Sequence, residues 1–149
     1  GRAWSQIRVG ASLLIIIAIG SSMKILVPLA NGFEEIEAVN VIDILRRGDV
    51  DVVTAGLKDG LVEGSHKIKM LPDTTLDKID YRDFDGLVLP GGAPGFVNLG
   101  NDERILTMAR EMDKAGVQRI FAEAVDSSGL GLAVMNRMGR AAAFDIIEV

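Results

Sequence analysis

From Lys24 onward the chain alternates short apolar runs with amphipathic stretches. "KILVPL" (Lys24–Leu29) is apolar without alternation, the mark of a strand covered on both faces. A turn, "ANG", follows, and then a predicted helix from Glu34 to Arg47, stopped near Gly48. Glu34 stands three residues after Asn31, so the spacing suggests Asn31 as the cap and Glu34 as its N3 partner. "DVVTAG" (Asp51–Gly56) reads as the next strand, and Lys58-Asp59-Gly60 as a hairpin turn signal. "HKIKML" alternates like a peripheral strand ended by Pro72, and "TTLDKID" suits a short helix or turn. "DGLVLP" (Asp85–Pro90) predicts another buried strand, running into the loop "GGAPG". Asn101 is placed to cap a helix from Asp102 to Ala115, with Gly116 as its C′ residue.

Strand, helix, strand, then strand, loop, helix predicts an α/β domain with a mostly parallel sheet and right-handed crossovers. Sites in such sheets lie at the carboxyl ends of the strands. The loops "ANGFEE" and "PGGAPG" occupy those positions. One residue there breaks the hydrophobic pattern. At 100° per residue, Ala38, Val41, Ile42, Ile44 and Leu45 share one arc of the predicted helix, and Asn40, Asp43, Arg46 and Arg47 the opposite arc. Glu35 falls at the boundary, but Glu37 falls inside the apolar arc. A carboxylate facing a sheet is costly unless it is paired or protonated. Either the arc is imperfect and Glu37 reaches water, or Glu37 has a function.

Composition narrows the chemistry. The 149 residues suit one domain. A net charge of −5 with no basic block argues against nucleic acid as a partner. The absence of Cys excludes disulfides, thiolate metal sites and thiol catalysis within this sequence. With a single histidine, His66, no His-based metal cluster is expected. The first 22 residues differ from the rest: Arg2 and Arg8 precede the apolar run Val9 to Gly20. That run is shorter than the roughly 20 residues a spanning helix needs. It reads as an extension before a start at Met23, leaving a cytoplasmic protein. It also reads as a signal-like segment of an exported one, or as an interior strand. Residues 23–149 are expected to form the domain.

"KILVPLANGFEEIEAVNVIDILRR", "VDVVTAG", "PDTTLD" and "DGLVLPGGAPGFVNL" together resemble the ThiJ/PfpI family, from Lys24 to about Gly116. The nearest likeness is to its parkinsonism-associated, deglycase-like branch. The resemblance implies a flavodoxin-like α/β sandwich of the class I glutamine-amidotransferase type, usually a homodimer, with no cofactor. Members are described as glyoxalases, protein or nucleotide deglycases, proteases, chaperones or redox sensors acting in stress. Older descriptions link some to thiamine biosynthesis. By that resemblance Glu37 matches the glutamate whose protonated carboxyl hydrogen-bonds a nucleophilic cysteine. A carboxyl held in an apolar site can act as such a donor. Gly91 and Gly92 match the turn whose N–H groups help form an oxyanion hole. "GGAPG" also suits a plain strand-to-helix turn. His66 falls near a family position that often carries a basic residue lining the pocket, although an exposed loop histidine is commoner. Glu34 joins it as a candidate for binding a small reactive carbonyl or similar compound.

After Gly116 the likeness fails. The family continues with a strand ending in a cysteine at a sharp elbow, which by count falls near Ala122 to Ala124, and later supplies a histidine. Neither residue is present. Ser127 and Ser128 in "VDSSGLG" lack the nucleophile-elbow spacing and a histidine base. "SSGLGLAVMNRM" is similar to the last glycine box of histidine-kinase ATPase domains, whose other boxes are not evident, and also reads as a Gly-started amphipathic helix from Leu130 to Met138. Three readings follow: a family member whose site is disabled, a non-catalytic binding or chaperone-like domain, and an enzyme with a site in the divergent tail. The front half's apolar surface must then be covered by the tail, the N-terminal run or self-association.

Overall fold

The computed structural model describes residues 4–9, 13–18, 23–114, 120–124 and 144–148. Strands β1 (Trp4–Val9) and β2 (Leu13–Ala18) pair antiparallel as a separate two-stranded sheet. Within the N-terminal apolar run, Leu13–Ala18 pairs with Trp4–Val9 and, among the described residues, not with the main sheet. From Met23 the elements run β3 (Lys24–Leu29), α1 (Glu35–Arg47), β4 (Asp51–Gly56), β5 (Val62–Glu63), β6 (Lys69–Met70) and β7 (Thr74–Thr75). They continue with β8 (Gly86–Leu89), α2 (Gly95–Gly100), α3 (Glu103–Lys114), β9 (Ile120–Ala124) and β10 (Phe144–Glu148). No helix among the described residues is long and apolar enough to cross a membrane.

The main sheet has the order β10-β9-β8-β3-β4-β7, and every pairing in it is parallel. Its hydrophobic residues divide by strand parity. Ile25, Val27 and Leu29 of β3 join Val52 and Val88 beneath Ala38, Val41 and Ile42 of α1. Leu26 of β3 joins Ala55, Leu87 and Leu89 against Ile105, Met108, Ala109 and Met112 of α3. Alternate side chains of a strand point to opposite faces, so α1 and α3 cover opposite faces of one sheet. Leu26, Leu29, Leu87 and Leu89 are fully buried, each worth about 1.5–3 kcal/mol. Strands β9 and β10, from the divergent tail, extend the sheet beyond β8.

Several local expectations are corrected. Glu34, not Asn31, caps α1: its Oε2 accepts the Glu37 N–H at 2.9 Å. Asn31 instead accepts the Glu63 N–H at 3.0 Å and pins the β5–β6 hairpin. The turn of that hairpin lies at Gly64–Ile68, where the Gly64 N–H donates to Ile68 O at 2.8 Å, and not at Lys58–Gly60. "TT" of "TTLDKID" is β7 on the edge of β4, followed by a short 3-10 turn at Leu76–Lys78. Asn101 closes α2, a short helix that the sequence pattern does not indicate. Asp102 takes the capping role at α3, since its Oδ1 accepts the Arg104 N–H at 2.9 Å. Ala115, Gly116, Ser127, Ser128 and the suggested helix Leu130 to Met138 lie outside the described residues.

A polar clasp fixes the far edge of the sheet. Asp73 Oδ2 accepts the Thr54 N–H and hydroxyl at 2.9 and 3.0 Å, while the Asp73 N–H donates back to Thr54 Oγ1 at 2.9 Å. Arg46 adds an ion pair at 2.9 Å. Partial burial acts to raise the Asp73 pKa, but the Thr54 donors and the Arg46 guanidinium outweigh it and hold the carboxyl below its usual 3.8.

Candidate functional site

Reversal of winding around β3 makes the carboxyl ends of β3 and β8 the switch point at which such sheets form their ligand crevice. Strand β3 leaves toward α1 on one face, and the neighbouring β8 leaves toward α2 and α3 on the other, so the loops after β3 and β8 diverge at this switch point. Glycines let the two loops stack. Gly92 has φ +101°, and a Cβ there would lie 2.4 Å from the Glu34 nitrogen. A Cβ on Gly95 would lie 2.5 Å from the Phe33 nitrogen. The Glu34 N–H donates to Gly91 O at 2.8 Å and locks the loops together.

This stacking brings Glu37 and the glycine turn into contact. Glu37 is 8 % exposed, so the residue that broke the helical pattern is buried. The Gly91 N–H donates to its Oε2 at 3.2 Å. The Gly91 amide already has an acceptor, whereas the Gly92 N–H makes no hydrogen bond among the described residues. Of the two glycines, Gly92 is the one with a donor to offer an incoming oxygen.

Glu34 and His66 gather around a different carboxylate. Glu35, expected at the helix boundary, is 5 % exposed. Its Oε1 accepts the His66 N–H at 2.7 Å and the Ile68 N–H at 3.4 Å. Its Oε2 meets His66 Nδ1 at 3.0 Å and accepts the Ser65 hydroxyl at 3.2 Å. Burial acts to raise the Glu35 pKa, but the imidazole and the backbone N–H donors prevail and bring it to about 2. A Cβ on Gly64 would collide with Glu35 Oε1, so glycine there admits the carboxylate. His66 Nδ1 lies 3.6 Å from Glu34 Oε1. The ring contacts are with Glu34, Glu35 and Ser65. Sequence reasoning missed Glu35 because its partners are some thirty residues away in the hairpin.

The profile of the DJ-1/PfpI family matches residues 23–122. The chain belongs to the DJ-1/PfpI family. The match reaches past the motifs of the front half into β9. A shorter match, to the C-terminal domain of threonylcarbamoyl-AMP synthase, covers residues 103–143 and overlaps the first. Among family relatives, DJ-1 homolog B of Arabidopsis thaliana is 42 % identical over 97 residues, which are 64 % of this chain and 22 % of that protein. Deglycase PfpI of Pyrococcus furiosus is 37 % identical over 95 residues, 63 % of this chain and 56 % of the relative. The chain thus spans about half or less of the length of these relatives. Drosophila melanogaster DJ-1beta superposes with a TM-score of 0.72 and 28 % identity, covering 87 % of this chain and 75 % of that one. Oxidised Toxoplasma gondii DJ-1 gives 0.71 and 29 %, covering 79 % and 62 %. The flavodoxin-like architecture is that of the family.

Strand β9 ends in Ala122 to Ala124, the positions near which the elbow is expected by count. Its register sets Ala122 opposite Leu89 of β8. Glu123 and Ala124 continue past that pair at the same end of the sheet as the Glu37 crevice. The sequence there is Ala-Glu-Ala, without a thiol.

Proposed function

We propose that this chain is a DJ-1/PfpI domain without cysteine-dependent deglycase or glyoxalase chemistry, retaining the crevice built by Glu37 and the Gly91–Gly92 turn. One observation carries the reading: the strand end where the elbow is expected reads Ala122-Glu123-Ala124, and the sequence holds no Cys. A thiolate mechanism requires the thiol. The crevice then serves to bind a small carbonyl compound, with the Gly92 N–H as donor to its oxygen and Glu37 beside it. The test is turnover of methylglyoxal by the purified chain. The expected result is a rate equal to buffer, unchanged by Glu37→Gln. Turnover above buffer that Glu37→Gln abolishes refutes the proposal. Cysteine placed singly at 122, 123 and 124 supplies the positive arm, and at one position the thiol should titrate below its free value of about 8.5.

Exposed apolar side chains favour self-association as the state in which the domain works. Ile36 and Val39 of α1 are 74 % and 44 % exposed, and Ile68 and Leu71 are 56 % and 72 % exposed. A homodimer covering such residues removes apolar area from water. Sedimentation should then find a dimer or larger species. A monomer at tens of micromolar overturns this part.

A further inference from the structure

Two carboxylates and an imidazole that the crevice does not use meet beside it. Glu34 and Glu35 start α1, and His66 comes from the turn of the β5–β6 hairpin. We propose that Glu34 Oε1, Glu35 Oε2 and His66 Nδ1 form a site for a divalent d-block cation of the zinc type.

The arrangement divides the oxygens of each carboxylate between two tasks. Glu34 Oε2 is held by the Glu37 N–H, leaving Oε1 turned toward the imidazole at 3.6 Å, beyond hydrogen-bonding range. Glu35 Oε1 is held by the His66 and Ile68 N–H groups, leaving Oε2 at 3.0 Å from Nδ1. Glu35 Oε2 also accepts the Ser65 hydroxyl at 3.2 Å, so backbone donors on one oxygen of each carboxylate and the Ser65 hydroxyl on Glu35 Oε2 act as the outer-shell partners that orient monodentate carboxylate ligands. The distances suit the purpose. Donors on a zinc-type ion sit about 2.0–2.2 Å from it, so neighbouring donors are roughly 3–3.5 Å apart. The imidazole lies 3.0 and 3.6 Å from the two oxygens, and all three donor atoms lie within 4.8 Å of one another.

The donor chemistry selects the ion. One nitrogen and two carboxylate oxygens favour zinc and its neighbours over Ca²⁺, which prefers an all-oxygen shell, and over thiolate-seeking ions. Glu35 is 6 % exposed at its side chain and Glu34 16 %, whereas His66 is 72 % exposed. Buried Glu35 and half-buried Glu34 fix the inner side, and the open imidazole side admits water to complete the shell. Lys67, the adjacent cation in the turn, is paired with Glu63 at 3.3 Å. Binding replaces any proton on Nδ1, which passes to solvent. The sequence concealed the site because two donors are adjacent in a helix start while the third lies in a hairpin.

The test uses the tag-free full chain, stripped with chelator and titrated calorimetrically with Zn²⁺ at neutral pH. His66 is the sole histidine of the sequence, so its ring signals in nuclear magnetic resonance are unambiguous. One Zn²⁺ per chain should bind and shift the His66 ring nitrogen Nδ1. His66→Gln and Glu34→Gln should each weaken binding by at least the roughly tenfold that even outer-shell partners contribute. Glutamine at 34 still offers an oxygen to cap α1, and position 66 is exposed, so both variants keep the fold. Circular dichroism confirms this. Absence of binding at millimolar Zn²⁺, unchanged affinity in both variants, or an unmoved His66 ring overturns the proposal.

Discussion

Three glycine-to-alanine variants separate backbone strain from steric collision at the crevice. Gly60 has φ +97° and nothing within 4 Å of the position a Cβ would take, so Gly60→Ala meets only the conformational penalty, about 1–2 kcal/mol. Gly95 has no positive φ, but its Cβ would lie 2.5–2.7 Å from the Phe33 nitrogen, Gly32 carbon and Phe33 Cα, all backbone atoms. Gly95→Ala therefore meets a collision of the overpacking kind, about 1–3 kcal/mol, reduced by up to about 1 kcal/mol because alanine favours the helix. Gly92 meets both penalties, with φ +101° and a Cβ 2.4 Å from the Glu34 nitrogen and 2.7 Å from Gly32 O. Adding them gives about 2–5 kcal/mol for Gly92→Ala, a large part of a typical stability of about 5–15 kcal/mol. Urea unfolding measured by circular dichroism reads the differences as midpoint shifts at constant slope. The expected order of destabilisation is Gly92→Ala above Gly95→Ala and above Gly60→Ala. If Gly92→Ala costs no more than Gly60→Ala, the two loops are not stacked as described, and the contact between Gly91 and Glu37 loses its structural basis.

Two other perturbations test the sheet and its edge. Leu87→Ala removes a fully buried side chain of β8 and should cost about 2–5 kcal/mol, seen as a lower urea midpoint. Thr54→Val keeps the backbone bond to Asp73 but removes both hydroxyl bonds, with an expected loss of about 1–3 kcal/mol. The same variant should alter acid stability. Folding holds the Asp73 carboxyl below its usual 3.8, so its stabilisation is present above that pH and disappears as pH falls through the lower folded value. The wild-type chain should therefore lose stability more steeply below pH 3.8 than Thr54→Val, and parallel acid-unfolding curves would contradict the Asp73 assignment.

Strands β3, β4 and β8 are legible in the sequence because their apolar runs are buried on both faces and lie between turn residues. Helices α1 and α3 are legible from their apolar arcs. The short elements are not. β5, β6 and β7 contain two residues each, too few for any periodicity, and are defined by partners distant in the chain. The caps shift by a few residues because Asn31 and Asn101 both resemble caps locally, whereas the choice depends on what the neighbouring hairpin and α2 require. Glu37 stands out in the sequence because its misfit is local to one helix. Glu35 does not, since its burial comes from Gly64 to Ile68 folding over it. The placement of Ala122 opposite Leu89 likewise depends on a pairing between strands separated by two helices.

An all-parallel sheet also dictates the order in which the chain can assemble. No strand in the main sheet can pair with its neighbour through a tight turn, because parallel strands need a crossover. The most extensive pairing in the main sheet is β3 with β4, six residue pairs joined across α1 from Lys24–Asp51 to Leu29–Gly56. Joining β8 to β3 sets Ile25 against Gly86 and must close a much longer loop. Loop-closure entropy places that step later and makes folding slow relative to helical proteins of the same size. The β3–α1–β4 unit is therefore the natural nucleus. Until β8 docks, Leu26 and Val27 lack their neighbours on one side, and the Gly91–Gly92 turn is remote from Glu37. The crevice is thus a late product of folding, and slowing β8 docking would lengthen the time during which an apolar strand edge is open to other chains.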